Sequence, residues 1–182
     1  INTHYLSKQI DEFMKNKKFN SKISLIYEDM KILGTGGGVF NAAKKFKNDP
    51  FFVFNPDTVW SKHYLKDFKI MEELYFNNNC KAVLLVVHKN KSFDKTMLGD
   101  FNLTGNLLDR SSDEKNYIYT GSQIINNSVF GDRKIDIFSM NVIWDSLIKN
   151  GELMGIKNDE EFFHITNLKI YEQLTKKNLI FN

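Results

Sequence analysis

Apolar residues in the first half of the chain form short runs that alternate with stretches of helical spacing. The runs at Phe51–Phe54 and at residues 82–87 are typical of strands covered on both faces, and residues 22–27 alternate as a half-buried strand does. Between these runs, apolar positions three and four residues apart predict helices near residues 39–46 and 64–75. Strands that alternate with helices at this pitch predict an α/β fold with a Rossmann-like, mostly parallel sheet flanked by helices.

The hydrophobic pattern changes in the second half of the chain. Shorter and more alternating segments predict antiparallel strands or hairpins over the edge of the sheet, at residues 99–103, 107–110 and Tyr117–Ile125. A helical stripe covers residues 140–148, and Gly151 is placed to end it. Residues 162–165 predict a last strand, after which Asn167 is placed to cap a final helix. No repeat, low-complexity tract or linker interrupts the sequence, so we expect all 182 residues to form one domain.

A glycine cluster precedes one of the predicted helices. Gly34, Gly36, Gly37 and Gly38 are four of the chain's ten glycines, and the missing Cβ lets backbone amides approach a ligand closely. They lead into a helix N-terminus, whose free N–H groups and positive dipole end suit an anion. The cluster lacks the lysine of a Walker A loop, and Val39 stands where a dinucleotide fingerprint has its third glycine. An anion-binding turn and an ordinary tight turn are both open on this pattern.

An acidic residue follows the predicted strand Phe51–Phe54, in the sequence Asn55-Pro56-Asp57. Ligands bind at the carboxyl ends of the strands in open α/β sheets, and Mg²⁺ prefers hard oxygen ligands such as carboxylates. Aspartates at such positions also serve as turn formers or helix caps. A carboxylate one βα unit after a candidate anion-binding turn indicates a metal–phosphate site.

Composition narrows the class of protein. The chain is 42% hydrophobic with a formal net charge of +3, which fits a globular domain with a substantial core. Arg110 and Arg133 are the only arginines, and base recognition favours arginine, so a nucleic-acid reader is not expected. The single Cys80 excludes an internal disulfide and fits a reducing compartment, the cytoplasm. No apolar run reaches the roughly 18 residues that span a bilayer, and no membrane partner is expected.

The segments LGTGGGVFNAAKKF and DPFFVFNPDTVW resemble the central part of the sugar-1-phosphate nucleotidyltransferases. INTHYLSKQIDEFM, YTGSQIINNSVF and FFHITNLKIYEQL resemble further segments of that family, in the family's order, so the similarity covers nearly the whole chain. Within the family, the chain is most similar to the short N-acetylmuramate-1-phosphate uridylyltransferase and mannose-1-phosphate guanylyltransferase type. The resemblance implies a nucleotide-diphospho-sugar transferase fold and an enzyme that joins a nucleoside triphosphate to a sugar 1-phosphate and releases pyrophosphate.

The resemblance also implies a cofactor, Mg²⁺, and a set of site residues. Asp57 matches the family's metal-binding catalytic aspartate, and His164 stands where the family has its second metal aspartate. A histidine there has three open roles: a metal ligand, a cationic contact to phosphate, or a structural residue. The predicted contacts to nucleotide and sugar are Gly34, Thr35, Gly36, Gly37, Asn55 and Gly121. Gly121 is open to a second interpretation as a plain strand glycine in a bulge.

One family motif has no match in this sequence, the N-terminal strand with its Gly-x-Gly-x-Arg loop. We therefore expect an N-terminally incomplete unit that binds ligand weakly, has no turnover by itself, and pairs with the missing segment or with itself. The alternative to an enzyme is a non-catalytic or split fragment that binds sugar nucleotides. The sequence does not identify the base or the sugar; uridine and N-acetylmuramate are the closest resemblance.

Overall fold

The computed structural model describes residues 1–28 and 31–180. The chain divides into two compact units, one formed by residues 1–49 and 126–146 and the other by residues 50–125 and 147–182. The single domain expected from the sequence stays a prediction. Within the described residues, no helix is both long and apolar enough to cross a bilayer.

The first unit contains a small parallel ladder and two helices. Strand β1 (Asn2–Thr3) pairs in parallel with β2 (Ile26–Tyr27), so only the end of the strand predicted at residues 22–27 is paired. Helix α1 (Ser7–Asn16) follows β1, and helix α2 (Gly34–Ala43) follows β2. Helix α2 begins at the first glycine of the cluster, so the glycines form its first turns and do not precede it.

The second unit is built on a six-stranded sheet. Its strands are β3 (Phe51–Phe54), β4 (Ala82–His88), β5 (Asn102–Thr104), β6 (Leu107–Asp109), β7 (Tyr117–Ile125) and β8 (Leu153–Asn158). Among the described residues, the order across the sheet is β3-β7-β4-β8-β6-β5. Three helices complete the fold of the chain: α3 (Leu65–Asn77), α4 (Asn141–Lys149) and α5 (Leu168–Lys176).

Strand directions confirm the predicted α/β class and a sheet in which most strands point one way. In the described sheet, β4 and β8 pair in parallel, while β3 and β4 each pair antiparallel with β7. The β6 strand pairs antiparallel with β8 and with β5. It follows that β3, β4, β5 and β8 run in one direction and β6 and β7 in the other. Direct parallel pairing in this sheet is confined to β4 and β8 within the described residues.

The placement of Tyr117–Ile125 over the edge of the sheet is wrong. This strand, β7, lies inside the sheet between β3 and β4, and most of its residues are buried. Strand β3 has the end position instead, where Phe54 remains 47% exposed. Pairing partners that are distant in sequence decide these positions, and the local apolar pattern carries no information about them.

The core of the second unit forms around β4. Residues 82–87 are completely buried, as their continuous apolar run predicts. Helix α3 contributes Met71 to this core, and Tyr64, immediately before the helix, packs beside it against Val83 and Leu85. Burying each such side chain stabilises the fold by roughly 1.5–3 kcal/mol.

The last part of the chain differs from its prediction at one element. Helix α5 forms as expected, and the side chain of Asn167 caps it by accepting a hydrogen bond from the Ile170 amide at 3.0 Å. Residues 162–165 do not form a regular strand. They make two isolated bridges, Ser92 with Phe162 and Thr58 with His164. Each neighbouring segment pairs with only one residue of this stretch, so no continuous strand pairing forms.

Candidate functional site

The first turns of helix α2 hydrogen-bond to the protein itself. The backbone amides of Gly36 and Gly37 donate to the Phe138 carbonyl oxygen at 2.9 and 3.2 Å. The hydroxyl of Thr35 accepts a hydrogen bond from the Met140 amide at 3.0 Å. The Gly36 and Gly37 amides, for which the sequence left an anion-binding role open, therefore have a protein acceptor in this structure.

The glycines of α2 allow residues 136–139 to approach the helix backbone. A Cβ on Gly37 would come well under 3.0 Å from the Asp136 carbonyl oxygen, and one on Gly36 would do the same with the Phe138 ring. Gly34 has φ +71°, and a Cβ on it would lie 2.9 Å from the Phe138 carbonyl oxygen. Close packing is thus a sufficient physical reason for this cluster. The nucleotide-binding role of Gly34, Thr35, Gly36 and Gly37 stays a prediction.

The turn that carries Asp57 is fixed in the second unit by hydrogen bonds to β7. The Asn55 amide donates to the Gly121 carbonyl at 2.8 Å, and the Thr58 hydroxyl donates to the Thr120 carbonyl at 2.6 Å. The indole Nε1 of Trp60 donates to the Asn55 carbonyl at 3.0 Å. These contacts hold the turn just past the carboxyl end of β3, where the sequence predicts the site.

Gly121 lies at an irregularity of β7. Its φ is +95°, a backbone conformation that favours glycine, and the register between β4 and β7 shifts at this point. A Cβ at this position would lie 2.8 Å from the Asn55 Cβ. The bulge interpretation of Gly121 therefore has direct structural support, and its predicted contact with the sugar stays a prediction, as does that of Asn55.

Asp57 and His164 come together in the second unit. The His164 Nε2 atom lies 3.4 Å from the Asp57 Oδ1 atom, with the imidazole 18% and the carboxylate 46% exposed. The Ile165 amide donates to the Asp57 carbonyl at 2.8 Å, which ties the two backbones beside this contact. The neighbouring imidazole lowers the pKa of the Asp57 carboxyl below its ordinary value, although partial burial acts in the opposite direction.

The Asp57–His164 pair has the donor atoms that a magnesium ion shared with a substrate needs. The facing atoms are Asp57 Oδ1 and His164 Nε2, 3.4 Å apart, and the buried Oδ1 makes no hydrogen bond within the described part of the chain. Mg²⁺ holds its ligands at about 2.1 Å, which places neighbouring ligand atoms roughly 3 Å apart. It usually takes one or two protein ligands, and water and phosphate complete its coordination. The pair fits this pattern. Residues 1–28 and 31–180 contain no cluster of three or more potential ligands among His, Cys, Asp and Glu.

Two residues near this pair carried no distinctive signal in the sequence. Burial raises the pKa of the Tyr119 hydroxyl far above its ordinary value, and the charges of Asp57 and Asp100 add to the shift. Burial also raises the pKa of Asp100, whose Oδ2 atom accepts a hydrogen bond from the Tyr119 amide at 2.8 Å. Tyr119 thus lies within the electrostatic reach of both carboxylates. Only its place two residues before Gly121 in a matched family segment pointed toward the site.

Comparison with known proteins identifies the fold of this chain. No family model matches the chain. The N-acetylmuramate alpha-1-phosphate uridylyltransferase of Caulobacter vibrioides is 22% identical over 171 residues, which are 91% of this chain and 71% of that protein. The crystal structure of HddC from Yersinia pseudotuberculosis, complexed with GMP-PN, superposes with a TM-score of 0.73 at 24% identity, over 96% of this chain and 76% of that one.

The inositol-1-phosphate CTP transferase from T. maritima superposes with a TM-score of 0.68 at 16% identity, over 96% of this chain and 74% of that one. The chain has the fold of the sugar-1-phosphate nucleotidyltransferases. The resemblance seen in the sequence is thereby confirmed at the level of the fold, and the expected lack of the N-terminal Gly-x-Gly-x-Arg loop stays a prediction. Asp57 lies at the carboxyl end of a strand in this nucleotidyltransferase fold, as the sequence predicted.

Proposed function

We propose that this chain acts in nucleotidyl transfer between a nucleoside triphosphate and a sugar 1-phosphate, yielding a nucleoside diphosphate sugar and pyrophosphate. The observation that carries the proposal is the Asp57–His164 pair at the end of β3, on a fold shared with nucleotidyltransferases. Uridine and N-acetylmuramate are the substrates that the name of the curated relative favours. With them, the reaction would supply a cell-wall precursor in the cytoplasm, where the free Cys80 stays reduced.

Asp57 and His164 would hold Mg²⁺ between the two substrates. The ion, when bound, neutralises charge on the phosphates so that two anions can meet at one phosphorus. The Asp57 carboxylate is ionised at neutral pH, as an aspartate with an ordinary or a lowered pKa is, and this is the state that a hard cation binds. A neutral imidazole is a weaker ligand for Mg²⁺, so His164 contributes less to the affinity or contacts phosphate as a cation.

A second candidate function is sugar-nucleotide binding without turnover. It is favoured by the start of helix α2, where the Gly36 and Gly37 amides already donate to Phe138. Amides that are engaged by the protein are not available to a triphosphate. A non-catalytic or split relative of the enzymes would have this property and still bind a sugar nucleotide.

Saturation-transfer NMR against UDP-, GDP- and dTDP-sugars, followed by a pyrophosphate-release assay, tests both candidates. The proposal predicts saturation of one sugar nucleotide in the presence of Mg²⁺, and loss of that signal in Asp57→Asn. Asp113→Asn, which changes an exposed carboxylate, is the matched control and should bind as the parent chain does. Binding without pyrophosphate release, even after a peptide with the family's N-terminal Gly-x-Gly-x-Arg segment is added, selects the second candidate. The absence of contact with all three ligands, in a demonstrably folded protein, contradicts both.

A further inference from the structure

A buried carboxylate lies next to the segment that carries His164. Asp94 is only 4% exposed, and both of its oxygens are engaged. Its Oδ1 accepts hydrogen bonds from the Thr96 amide at 2.9 Å and the Thr96 hydroxyl at 2.7 Å. Its Oδ2 accepts a hydrogen bond from the Thr166 hydroxyl at 2.5 Å. A buried carboxylate must be satisfied by such donors, and here one donor comes from a segment distant in sequence.

Backbone hydrogen bonds run along the same contact. The Phe93 amide donates to the Phe162 carbonyl, and the Phe162 amide donates to the Lys91 carbonyl, each at 2.9 Å. The Thr166 amide donates to the His164 carbonyl at 3.1 Å, so that a tight turn joins these two residues. Anchoring the Thr166 side chain therefore restrains the backbone at His164.

The opposite side of the His164 segment is held by the turn that carries Asp57. The Val59 amide donates to the Phe163 carbonyl at 2.9 Å, and the Ile165 amide donates to the Asp57 carbonyl at 2.8 Å. The segment thus has one side on the Asp57 turn and the other on residues 91–94. The backbone bonds fix its position, and the bond to Asp94 restrains the end that follows His164.

We propose that Asp94 is a positioning residue, which acts through the Thr166 hydroxyl to orient the His164 imidazole toward Asp57. Both carboxylate oxygens of Asp94 accept hydrogen bonds from Thr96 or Thr166, so we assign Asp94 a supporting role and not that of a ligand. Its effect on His164 is indirect, because Asp94 holds Thr166 and the Thr166 amide is hydrogen-bonded to the His164 carbonyl. The consequence for metal and nucleotide affinity rests on the proposed function; the orientation of His164 does not.

Thr166→Val and Thr166→Ser form the matched pair that tests the proposal. Valine keeps the shape of threonine without the hydroxyl, whereas serine keeps the hydroxyl. The readout is the set of imidazole ¹H and ¹⁵N NMR signals of His164 in the full chain without metal, identified by their absence in His164→Gln. His4, His63 and His88 provide internal reference signals. Asp57→Asn establishes that the His164 signals respond to a change in orientation or contact.

The proposal predicts that Thr166→Val and Asp94→Asn shift the His164 signals in the same direction, while Thr166→Ser leaves them as in the parent chain. His164 signals unchanged in Thr166→Val, or changed equally in the valine and serine variants, would overturn it. Asp94→Asn provides the same test if the valine variant does not fold, because asparagine keeps the size of the side chain.

A second readout uses Mn²⁺ with UTP as the probe. Loss of an outer partner typically lowers metal affinity about 10- to 100-fold. We expect Thr166→Val to lower the affinity for Mn²⁺–UTP by about 10-fold, the smaller end of that range. If His164→Ala leaves this affinity unchanged, the metal role of His164 in the proposed function fails. The NMR comparison still decides whether Asp94 orients the imidazole.

Discussion

The Nε2 atom of His164 lies 3.4 Å from the Oδ1 atom of Asp57. Hydrogen bonds between Val59 and Phe163 and between Ile165 and Asp57 hold the two backbones on both sides of this contact. A carboxylate and an imidazole fixed in this way form a preorganised pair, since neither residue has to move far to share one ligand. The proposed metal-binding role of the chain depends on this contact.

Close packing at helix α2 makes Gly37→Ala a destabilising substitution. Alanine is favoured over glycine in a helix by about 1 kcal/mol, but its Cβ would come well under 3.0 Å from the Asp136 carbonyl oxygen. Overpacking typically costs about 1–3 kcal/mol, and a contact this short with a backbone atom lies at the upper end, so we expect a net loss of about 2 kcal/mol in the free energy of unfolding after the gain in propensity. Urea unfolding measures it. Asn41→Ala in the same helix is the control, and equal stability of the two variants would contradict the packing described here.

The cap of helix α5 gives a second stability prediction. The Asn167 side chain accepts a hydrogen bond from the Ile170 amide, and loss of such a cap costs about 1 kcal/mol. Asn167→Ala should lower the free energy of unfolding by this amount, as measured by urea unfolding. Asn167→Asp keeps the acceptor and should stay near the parent value. A drop of the same size in both variants would show that the cap is not the cause.

The raised pKa of Asp67 leads us to expect a specific pH dependence of stability. The carboxylate is buried and accepts a hydrogen bond from the Asn158 side chain at 2.6 Å, and burial raises its pKa above the ordinary value. The folded state then binds the proton more readily than the unfolded state. The contribution of Asp67 to stability therefore rises as the pH falls through the folded pKa toward the ordinary value of about 3.9.

Asp67→Asn isolates this contribution, because asparagine still offers an acceptor to Asn158 and does not titrate. The stability of the parent chain relative to Asp67→Asn should increase as the pH is lowered from 7 toward 4, with urea unfolding measured at each pH. Other carboxyls titrate in both proteins and cancel in the difference. A difference that is constant over this range would show that the pKa of Asp67 is not raised by folding.

Local sequence patterns predicted most helices and the buried strand β4. The local pattern was sufficient to predict three features: the buried strand at residues 82–87, the apolar stripe of α3 and the Asn167 cap. Each of them depends on residues only a few positions apart. The interior place of β7 depends on which strands it pairs with, and these are distant in sequence. No local pattern could supply this information.

The candidate site was predictable to a similar extent. The turn after β3 identified Asp57, and the family resemblance drew attention to His164. The sequence could not show that the amides of Gly36 and Gly37 donate to Phe138, because the acceptor belongs to a remote segment. The role of Asp94 was missed for the same reason, because its partner Thr166 lies 72 residues later in the sequence.

Calorimetric titration of Mg²⁺ in the presence of UTP measures whether the Asp57 carboxylate holds the metal. Asp57→Asn should remove the nucleotide-dependent Mg²⁺ affinity of the chain and leave its thermal midpoint nearly unchanged. His164→Ala should weaken the affinity less, because a nitrogen ligand contributes less to a hard cation. Unchanged Mg²⁺ affinity in Asp57→Asn would contradict the claim that this carboxylate holds the metal.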